Sequence, residues 1–355
     1  MTSPVDRAGL RQRVEAALAG FLARQRAHVT AVDPALVPVA DAVEAFVLGG
    51  GKRLRPAFAY WGYRGAGGPD SDPVVTAVAA LELVQASALI HDDVMDGSDL
   101  RRGEPAVHRR FAAVHGASGW HGDGERFGTA AAILLGDLCL VWSDEMLDGA
   151  GLPAAALDRA RPVFHRMRTE VTVGQYLDMH SQATRDTTVA RASKVARFKS
   201  AKYTVEEPLL MGAALAGAGA ELTAAYSSYG LPLGEAFQLR DDVLGVFGDP
   251  ETTGKPAGDD LREGKRTYLV AAAFEAAGAA ERRELAAGLG DPTLDSAGVD
   301  RLREIITSTG ALARTERRIC ELVATALAAL ATVDLDPEAA VVLTELASAA
   351  TSRTD

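Results

Sequence analysis

The amino-acid sequence predicts an all-α fold, and three of its features support that prediction. Over most of the 355 residues, hydrophobic side chains recur at the three- and four-residue spacing of an amphipathic helix. Hydrophobic residues make up 48% of the chain and lean toward Ala and Leu, which favour helices. Segments with the alternating pattern of a β-strand are nearly absent.

The helical period places the elements in order along the chain. The first helix carries a buried stripe near the N-terminus, formed by Leu10, Val14, Leu18, Phe21 and Leu22. The same period predicts helices over residues 37–48, 73–96, 127–149, 153–183, 205–217, 220–244, 267–277, 297–330 and 337–352. Turn residues break the pattern at 65–73, 116–124, 149–153 and 248–258. Because no break has the length of a flexible linker, we expect a single domain over residues 1–355.

Charge and composition exclude several classes of protein. The net charge of −11 and the lack of a long basic stretch argue against a nucleic-acid partner, since phosphate backbones attract basic patches. The sequence begins without a signal-peptide pattern, and Asp or Gly interrupts its apolar runs before they reach bilayer length, so we expect no membrane span. Cys139 and Cys320 are the two residues that could form a disulfide, but Cys139 lies in an apolar run that favours a reduced, buried thiol, which suits the cytoplasm.

Paired aspartates in the motif HDDVMD suggest a first metal site. Asp92 and Asp96 are four residues apart, so a helix places both carboxylates on one face. The apolar run ELVQASALI directly precedes them, which indicates that they face a cavity or a core. Two carboxylates this close repel each other, and a hard divalent cation such as Mg²⁺ reverses that repulsion. The alternative is a helix end that carries solvated acids before Gly97.

A second acidic motif, QLRDDVLG, has two adjacent aspartates, Asp241 and Asp242, as HDDVMD does. Four residues after Asp241, however, it has Gly245 in place of an aspartate. The next acid, Asp249, would lie two turns from Asp241 on a continuous helix, about 12 Å and too far to share an ion. One alternative is that Gly245 and Gly248 break the helix and bring Asp249 back. The other is that Asp241 is the main ligand, because Mg²⁺ needs only one or two carboxylates when phosphate oxygens complete its shell.

Basic residues accompany both acidic motifs: Lys52, Arg53, Arg55, Arg101, Arg102, Lys199, Lys202, Lys255, Lys265 and Arg266. Each alone is typical of a solvated helix face, but together with Mg²⁺ the set could hold a diphosphate. The run GGGKRLRP is not a nucleotide-binding P-loop, because an arginine follows Lys52 and no strand precedes it. We expect instead a glycine turn into a helix that begins near Arg55 with Pro56 at its first position, directing N–H groups and cations at a second phosphate-bearing substrate.

These motifs resemble those of the trans-isoprenyl diphosphate synthases, which are chain-elongating prenyltransferases. The resemblance spans about residues 45–270 and rests on GGGKRLRP, HDDVMDGSDLRRG, GQYLD, KSAKYTVEEPL, QLRDDVLG and GKPAGDDLREGKR. It implies the class I isoprenoid synthase fold, a helical bundle around a deep central cavity, usually as a homodimer with about three Mg²⁺ ions per active site. Gly245 is the clear departure, because the family has an aspartate there.

The resemblance also implies roles for individual residues. Asp92 and Asp96 would bind Mg²⁺ from one cavity wall, with Asp241 opposite and Asp242 in support. The allylic diphosphate would be held by Arg101, Lys199 and Lys255. Isopentenyl diphosphate would be held by Lys52, Arg55, Gln85 and Arg102. The reaction centre would be lined by Gln175, Asp178 and Gln238, and an allylic cation would be stabilised by oxygens at Lys199, Ser200 and Gln238. For His91 we expect either packing or support of the aspartates.

The implied reaction is Mg²⁺-assisted ionisation of the allylic diphosphate, followed by attack of the isopentenyl double bond, with geranylgeranyl diphosphate as the main product. A farnesyl or longer-chain diphosphate synthase is one alternative. A class I terpene cyclase is another, although it has no use for GGGKRLRP. A non-catalytic subunit of a heteromeric synthase is the third, which Gly245 favours and the intact acids of the first motif disfavour.

Product length should depend on the cavity floor beneath Asp92, for which the candidates are Leu81, Val84, Ser87 and Ala88. In this family an aromatic residue near that position often closes the pocket at farnesyl length. We therefore expect Ser87→Phe to shorten the main product by one isoprene unit, as measured by chromatography of the dephosphorylated products. Unchanged product lengths in an active variant would remove Ser87 from this role.

Overall fold

The structure is a computed structural model that describes residues 4–249 and 258–351. Across these two ranges the chain is almost entirely helical, which confirms the all-α prediction. The β-structure found there is one small antiparallel hairpin, in which β1 (Leu100–Arg101) pairs with β2 (Glu104–Pro105).

The helices follow one another in the order below. The N-terminal part contains α1 (Leu10–Val32), α2 (Val37–Leu48), α3 (Leu54–Gly65), α4 (Asp72–Asp96), α5 (Val107–Ala117), α6 (Gly124–Asp148) and α7 (Ala154–Thr184). After it come α8 (Val189–Val195), a π-helical segment (Ala196–Glu206), α9 (Glu207–Ala216) and α10 (Ala220–Phe247). The remainder contains α11 (Asp259–Arg262), α12 (Tyr268–Ala276), α13 (Ala279–Gly288), α14 (Ser296–Ser308), α15 (Ala311–Leu330) and α16 (Pro337–Thr351).

Most predicted helices are present with ends a few residues from those expected, but the single helix over 297–330 is wrong. It consists of α14 and α15, which separate at Gly310. Gly310 has φ +76°, a left-handed conformation that glycine adopts without steric cost, so the chain turns there.

Five helical segments were not predicted: α5, α8, the π-helical segment, the single turn α11 and α13. Among the described side chains, α8 buries Ala192 alone and α13 buries Leu285 alone, so neither has an apolar stripe that a periodic pattern could reveal. In α5 the buried stripe includes His108 and His115, which weakens its apolar signal.

Residues 1–60 and 68–158 form one compact unit, in which most residues of α4 are buried. This helix begins after Ser71, packs mainly against α6 and α1, and ends at Gly97, whose φ is +67°. Of the described helices, α4 alone has the length and composition to cross a membrane, but 72% of that stretch is buried inside the protein, as in an ordinary core helix. Its burial therefore fixes the position of the acids in its last turn.

Residues 61–67 and 159–355 form the other compact unit. Its described hydrophobic core contains side chains from α10, α12, α14 and α15, among them Val246, Leu269 and Ile306. The helix α10 also packs against α15 and the π-helical segment. The prediction of a single domain over residues 1–355 stays a prediction.

Three glycines allow close packing around the π-helical segment. A Cβ atom on Gly230 of α10 would lie 2.8 Å from the Cα of Glu206, and one on Gly234 would lie 2.4 Å from the carbonyl oxygen of Ala201. On α7, a Cβ on Gly174 would lie 2.4 Å from the backbone nitrogen of Lys199. The segment is therefore held from two sides at backbone contact distance, which fixes the residues that it carries.

Candidate active site

The three aspartates in the last turn of α4 have different surroundings. Asp93 is 1% exposed, and the Arg101 Nε donates hydrogen bonds of 2.9 and 3.2 Å to its two carboxylate oxygens. Asp92 and Asp96 are half-buried on another face of the helix, and Arg101 Nη2 lies 3.8 Å from Asp92 Oδ2. Asp93 thus anchors the β1–β2 hairpin through Arg101, while Asp92 and Asp96 have the one-turn spacing expected of a metal-binding pair.

His91 packs against α6. Its Nε2 atom lies 3.0 Å from the Ile133 carbonyl oxygen and 3.6 Å from Asp137 Oδ1. The ring covers Gly136, where a Cβ atom would come within 2.1 Å of Nε2. These contacts favour the packing interpretation of His91, since the ring joins α4 to α6 directly beside the aspartates.

The glycine run places its cations in different environments: Lys52 is exposed, Arg53 is buried and Arg55 is half-buried. The expectation that Pro56 occupies the first helical position is wrong, because α3 begins two residues earlier, at Leu54. The first hydrogen bond at this helix end runs from the Ala57 N–H to the Arg53 carbonyl at 3.1 Å. Pro56 therefore sits where a helix needs no N–H donor.

The β1–β2 hairpin reaches the same glycine run through Arg102. Its Nη1 donates a 2.9 Å hydrogen bond to the Gly50 carbonyl, and its guanidinium lies over the ring of Phe46. Gln85 is half-buried on α4, in the helix whose last turn carries the aspartates. The predicted ligands of isopentenyl diphosphate within this unit thus come from a turn, a hairpin and α4.

The candidate chain-length residues all lie on α4 but differ in burial. Leu81, Val84 and Ser87 are at most 4% exposed, whereas Ala88 is half-buried. Ala88 precedes Asp92 by four residues and therefore lies on the same helix face as that aspartate. The role of all four residues in product length stays a prediction.

In the other unit, the π-helical segment carries Lys199 and Ser200. Lys199 Nζ donates a 2.6 Å hydrogen bond to Asp178 Oδ2, and that carboxylate is 8% exposed. Gln175 is half-buried one turn before Asp178 on α7, and Ser200 is 8% exposed. The π-helical segment brings two motifs of the sequence into direct contact, because Lys199 belongs to KSAKYTVEEPL and Asp178 to GQYLD.

The second acidic motif lies near the C-terminal end of α10. Asp241 is half-buried, whereas Asp242 is 4% exposed and accepts a 2.8 Å hydrogen bond from Gln238 Nε2. Burial raises the pKa of Asp242 to about 7, and the charges of Asp260 and Asp241 act in the same direction. The acids of this cluster therefore crowd one another.

Gly245 does not break the helix, since α10 continues to Phe247, but the helix ends at Gly248 and Asp249 lies exposed beyond it. The space above Gly245 is filled by Asp260, because a Cβ atom on the glycine would lie 1.9 Å from Asp260 Oδ2. Asp260 Oδ1 also accepts a 3.3 Å hydrogen bond from Lys265 Nζ. Asp260 was missed from the sequence, although its signal was present as a second pair of aspartates shortly after the motif.

The donor set fits Mg²⁺, because carboxylate oxygens are its preferred protein ligands and the crowding of Asp241, Asp242 and Asp260 favours a cation. Over residues 4–249 and 258–351, no three Asp, Glu, His or Cys side chains form a complete metal site. Water or diphosphate oxygens would therefore have to complete the coordination shell. Lys255, a predicted diphosphate ligand, lies outside the described residues.

Aspartates near the ends of two helices, with cations beside each group, are the motifs that resemble those of the isoprenyl diphosphate synthases. The family profile described as "Polyprenyl synthetase" matches residues 38–306, and the chain belongs to this family, as its motifs predicted. It is 36% identical to the geranylfarnesyl diphosphate synthase of Aeropyrum pernix over 273 residues, which are 76% of this chain and 79% of that protein. It is also 36% identical to the geranylgeranyl diphosphate synthase of Methanosarcina mazei over 70% of this chain and 73% of that protein.

Solved structures show the same likeness in three dimensions. The geranylgeranyl pyrophosphate synthase of Corynebacterium glutamicum, in complex with isoprenyl diphosphate and magnesium, superposes with a TM-score of 0.94. The two chains are 42% identical, and the match covers 97% of this chain and 98% of that one. The geranylgeranyl pyrophosphate synthetase of Pyrococcus horikoshii superposes with a TM-score of 0.80 at 26% identity, over 97% and 98% of the two chains.

We predict that Gly245→Ala raises the Mg²⁺ concentration needed for half-maximal prenyl transfer by about tenfold, because the methyl group displaces the Asp260 carboxylate from the second acidic cluster. The measurement is the initial rate as a function of Mg²⁺ concentration. Gly20→Ala is the matched control, since a Cβ there meets only Arg24 Nη1, at 3.9 Å. The same Mg²⁺ dependence in Gly245→Ala and in the unmodified chain would contradict a role for Asp260.

Proposed function

We propose that this chain condenses isopentenyl diphosphate with an allylic diphosphate and makes geranylgeranyl diphosphate as its main product. One observation carries the proposal: α4 and α10 each bear a pair of aspartates near the C-terminal end, a donor set that suits Mg²⁺ and diphosphate. Relatives named as geranylgeranyl diphosphate synthases and the magnesium complex of the C. glutamicum enzyme support it.

The metal ligands in this proposal are Asp92 and Asp96 on α4 and Asp241 on α10. Asp242 lies behind Asp241 and is held by Gln238, and Asp260 adds a carboxylate beside them. When bound, Mg²⁺ supplies positive charge that stabilises the diphosphate as it leaves the allylic carbon. The family resemblance implies about three such ions.

Lys199 and Arg101 would bind the allylic diphosphate, and Lys255 would join them. Asp178 orients Lys199 through their 2.6 Å hydrogen bond, and Arg101 is oriented by Asp93. The backbone and side-chain oxygens of Lys199, Ser200 and Gln238, together with Gln175, would face the carbon that becomes cationic. Fixed oxygen dipoles of this kind stabilise developing positive charge without having to reorganise.

Isopentenyl diphosphate would bind to Lys52, Arg55, Arg102 and Gln85. Of these, Arg102 already lies against the glycine run through its hydrogen bond to the Gly50 carbonyl. Holding the second substrate in one orientation beside the allylic cation converts a collision between two molecules into a step within one complex, which contributes strongly to the rate.

Product length is proposed to depend on Leu81, Val84, Ser87 and Ala88, with geranylgeranyl length favoured by the small side chains of Ser87 and Ala88. Farnesyl and longer products remain the alternative outcomes, because relatives include a geranylfarnesyl diphosphate synthase. A terpene cyclase is less well supported, since it would have no second diphosphate for Lys52 and Arg55 to bind.

The test is an assay of the purified chain with isopentenyl diphosphate and each short allylic primer, with Mg²⁺ or with EDTA. We expect products of geranylgeranyl length that require both substrates, and no product in EDTA, because the leaving diphosphate then lacks its cations. A product formed from the allylic primer alone would instead support a cyclase. No turnover by the purified chain with Mg²⁺ would support the non-catalytic alternative.

We further propose a homodimer that pairs through the exposed face of α6. Large apolar side chains are exposed there at positions that recur along the helix, namely Phe127 (38%), Ile133 (44%), Leu134 (62%) and Val141 (63%). An exposed apolar stripe of this kind is typical of a protein interface, and a second copy supplies the same stripe in return.

The double substitution Leu134→Glu with Val141→Glu should halve the mass measured by sedimentation, because it buries charge in the proposed interface. Val32→Glu is the matched control: Val32 is 70% exposed at the end of α1 and is not part of the α6 stripe, and the substitution should leave the mass unchanged. A monomeric unmodified chain would contradict the proposal.

A cytoplasmic location belongs to the same proposal. Cys139 and Cys320 are free thiols, and burial raises the pKa of the Cys139 thiol to about 12, so that it stays protonated. Reduced cysteines of this kind suit a reducing compartment. Fractionation of the source cells, followed by immunodetection in each fraction, tests this location.

A further inference from the structure

The glycine run contains one arginine that cannot serve as a surface cation. Arg53 is 4% exposed, although exposed Lys52 precedes it directly. Its Nη1 donates a 2.6 Å hydrogen bond to Glu82 Oε2 on α4, and its Nη2 donates a 2.9 Å hydrogen bond to the Val47 carbonyl at the end of α2. Its Nε also lies 3.8 Å from Glu15 Oε1 on α1. One guanidinium therefore joins the turn to three helices.

The backbone of Arg53 is also unusual. Its φ is +50°, in the left-handed region that residues with a Cβ atom seldom adopt, and it follows Gly50 at φ +97° and Gly51 at φ +132°. Such conformations persist only where the surrounding contacts impose them, and they cluster at ligand-binding sites. The contacts of Arg53 with Glu82 and Val47 provide that constraint, and the resulting turn leaves Lys52 exposed.

A second arginine holds the same turn from the hairpin. Arg102 also has a positive φ, of +55°, and bonds to the Gly50 carbonyl. A Cβ atom on Gly51 would lie 3.5 Å from both Arg102 Nη2 and Arg53 Nη1, so the two guanidiniums border the same glycine. Burial lowers the pKa of Arg102, the charge of Arg53 lowers it further, and Glu82 opposes both effects.

We propose that Arg53 is a positioning residue, which together with Glu82 fixes the glycine turn so that Lys52 and Arg102 are presented to isopentenyl diphosphate. This inference rests on the proposed function and deepens it. Arg53 itself does not bind the substrate, because its guanidinium is buried and bonded to Glu82 and Val47. Glu82 also neutralises Arg53, and among the described residues no carboxylate lies at salt-bridge distance from Arg102.

A role for Arg53 in fixing the turn predicts different kinetic effects for the two substrates. Loosening the turn should raise KM for isopentenyl diphosphate, because Lys52 and Arg102 then lose their fixed position before binding. It should leave kcat at saturating isopentenyl diphosphate and KM for the allylic substrate close to their original values, since neither depends on this turn.

The decisive variant is Arg53→Met combined with Glu82→Met, because replacing both members of a buried ion pair with apolar side chains of similar size preserves packing better than removing one member. We expect KM for isopentenyl diphosphate to rise at least about tenfold, because Lys52 and Arg102 must then be ordered each time the substrate binds. Arg53→Lys keeps the charge next to Glu82 but lacks the forked donor that also reaches Val47, so its KM should lie in between.

Arg13→Met is the matched control. Arg13 lies in the same unit but bonds to Asp70 and Asp72 at 2.9 Å instead of to the glycine run, and its substitution should leave both KM values unchanged. Calorimetric titration with isopentenyl diphosphate measures the same weakening without turnover, and the melting temperature shows whether each variant is folded.

Two outcomes would overturn the inference. One is an unchanged KM for isopentenyl diphosphate in a folded double variant, and the other is an equal rise of both KM values with a lowered melting temperature, which a merely structural role would produce. Failure of the proposed function gives a different result: the unmodified chain would then show no prenyl transfer. In that case, titration of the unmodified chain and the double variant with isopentenyl diphosphate still decides whether Arg53 positions a diphosphate site.

Discussion

Carboxylates of like charge crowd together near the ends of α4 and α10, and much of the described structure around them keeps them in place. A chain with a net charge of −11 has no general excess of cations to neutralise them, so each cluster depends on local groups. α4 provides the first cluster because its burial against α1 and α6 outweighs the repulsion between acids in its last turn. α10 provides the second from a helix that packs against the π-helical segment through Gly230 and Gly234.

Both acidic motifs contain two adjacent aspartates, Asp92 and Asp93 on α4 and Asp241 and Asp242 on α10. The buried aspartate of each motif is stabilised in a different way. Adjacent residues on a helix point about 100° apart, so the two aspartates of each pair have different surroundings, and the second of each pair is the buried one. The inward acid of α4, Asp93, is neutralised by Arg101. The inward acid of α10, Asp242, is stabilised by the Gln238 amide instead, and burial raises its pKa to about 7. The charge of Asp93 is thus balanced by an arginine, whereas the charge of Asp242 can be removed by a proton or balanced by a metal ion.

The fold and the first cluster could be predicted because their signals are local. The spacing of Asp92 and Asp96 and the apolar run before them specify a helix that ends in acids, and α4 has that form. The contacts that complete the clusters could not be predicted, because they join segments whose approach no periodic pattern encodes. Arg101 reaches Asp93 because it lies in the hairpin. Nothing in the basic run of the sequence distinguishes buried Arg53 from exposed Lys52. Similarly, the hydrophobic period continues across Gly310, although the chain turns there and forms two helices.

Several of these unpredicted contacts occur at glycines, because a residue without a side chain leaves space for another group. Gly136 admits the His91 ring beside the first cluster, and Gly174 admits the backbone of Lys199. At Gly245 the same principle changes how the sequence is interpreted. A Cβ atom at position 245 would need the space that the Asp260 carboxylate fills, so any larger side chain there requires Asp260 to move. Asp260 on α11 therefore keeps a carboxylate beside Asp242 although position 245 lacks one, so the glycine does not remove the negative charge of this cluster.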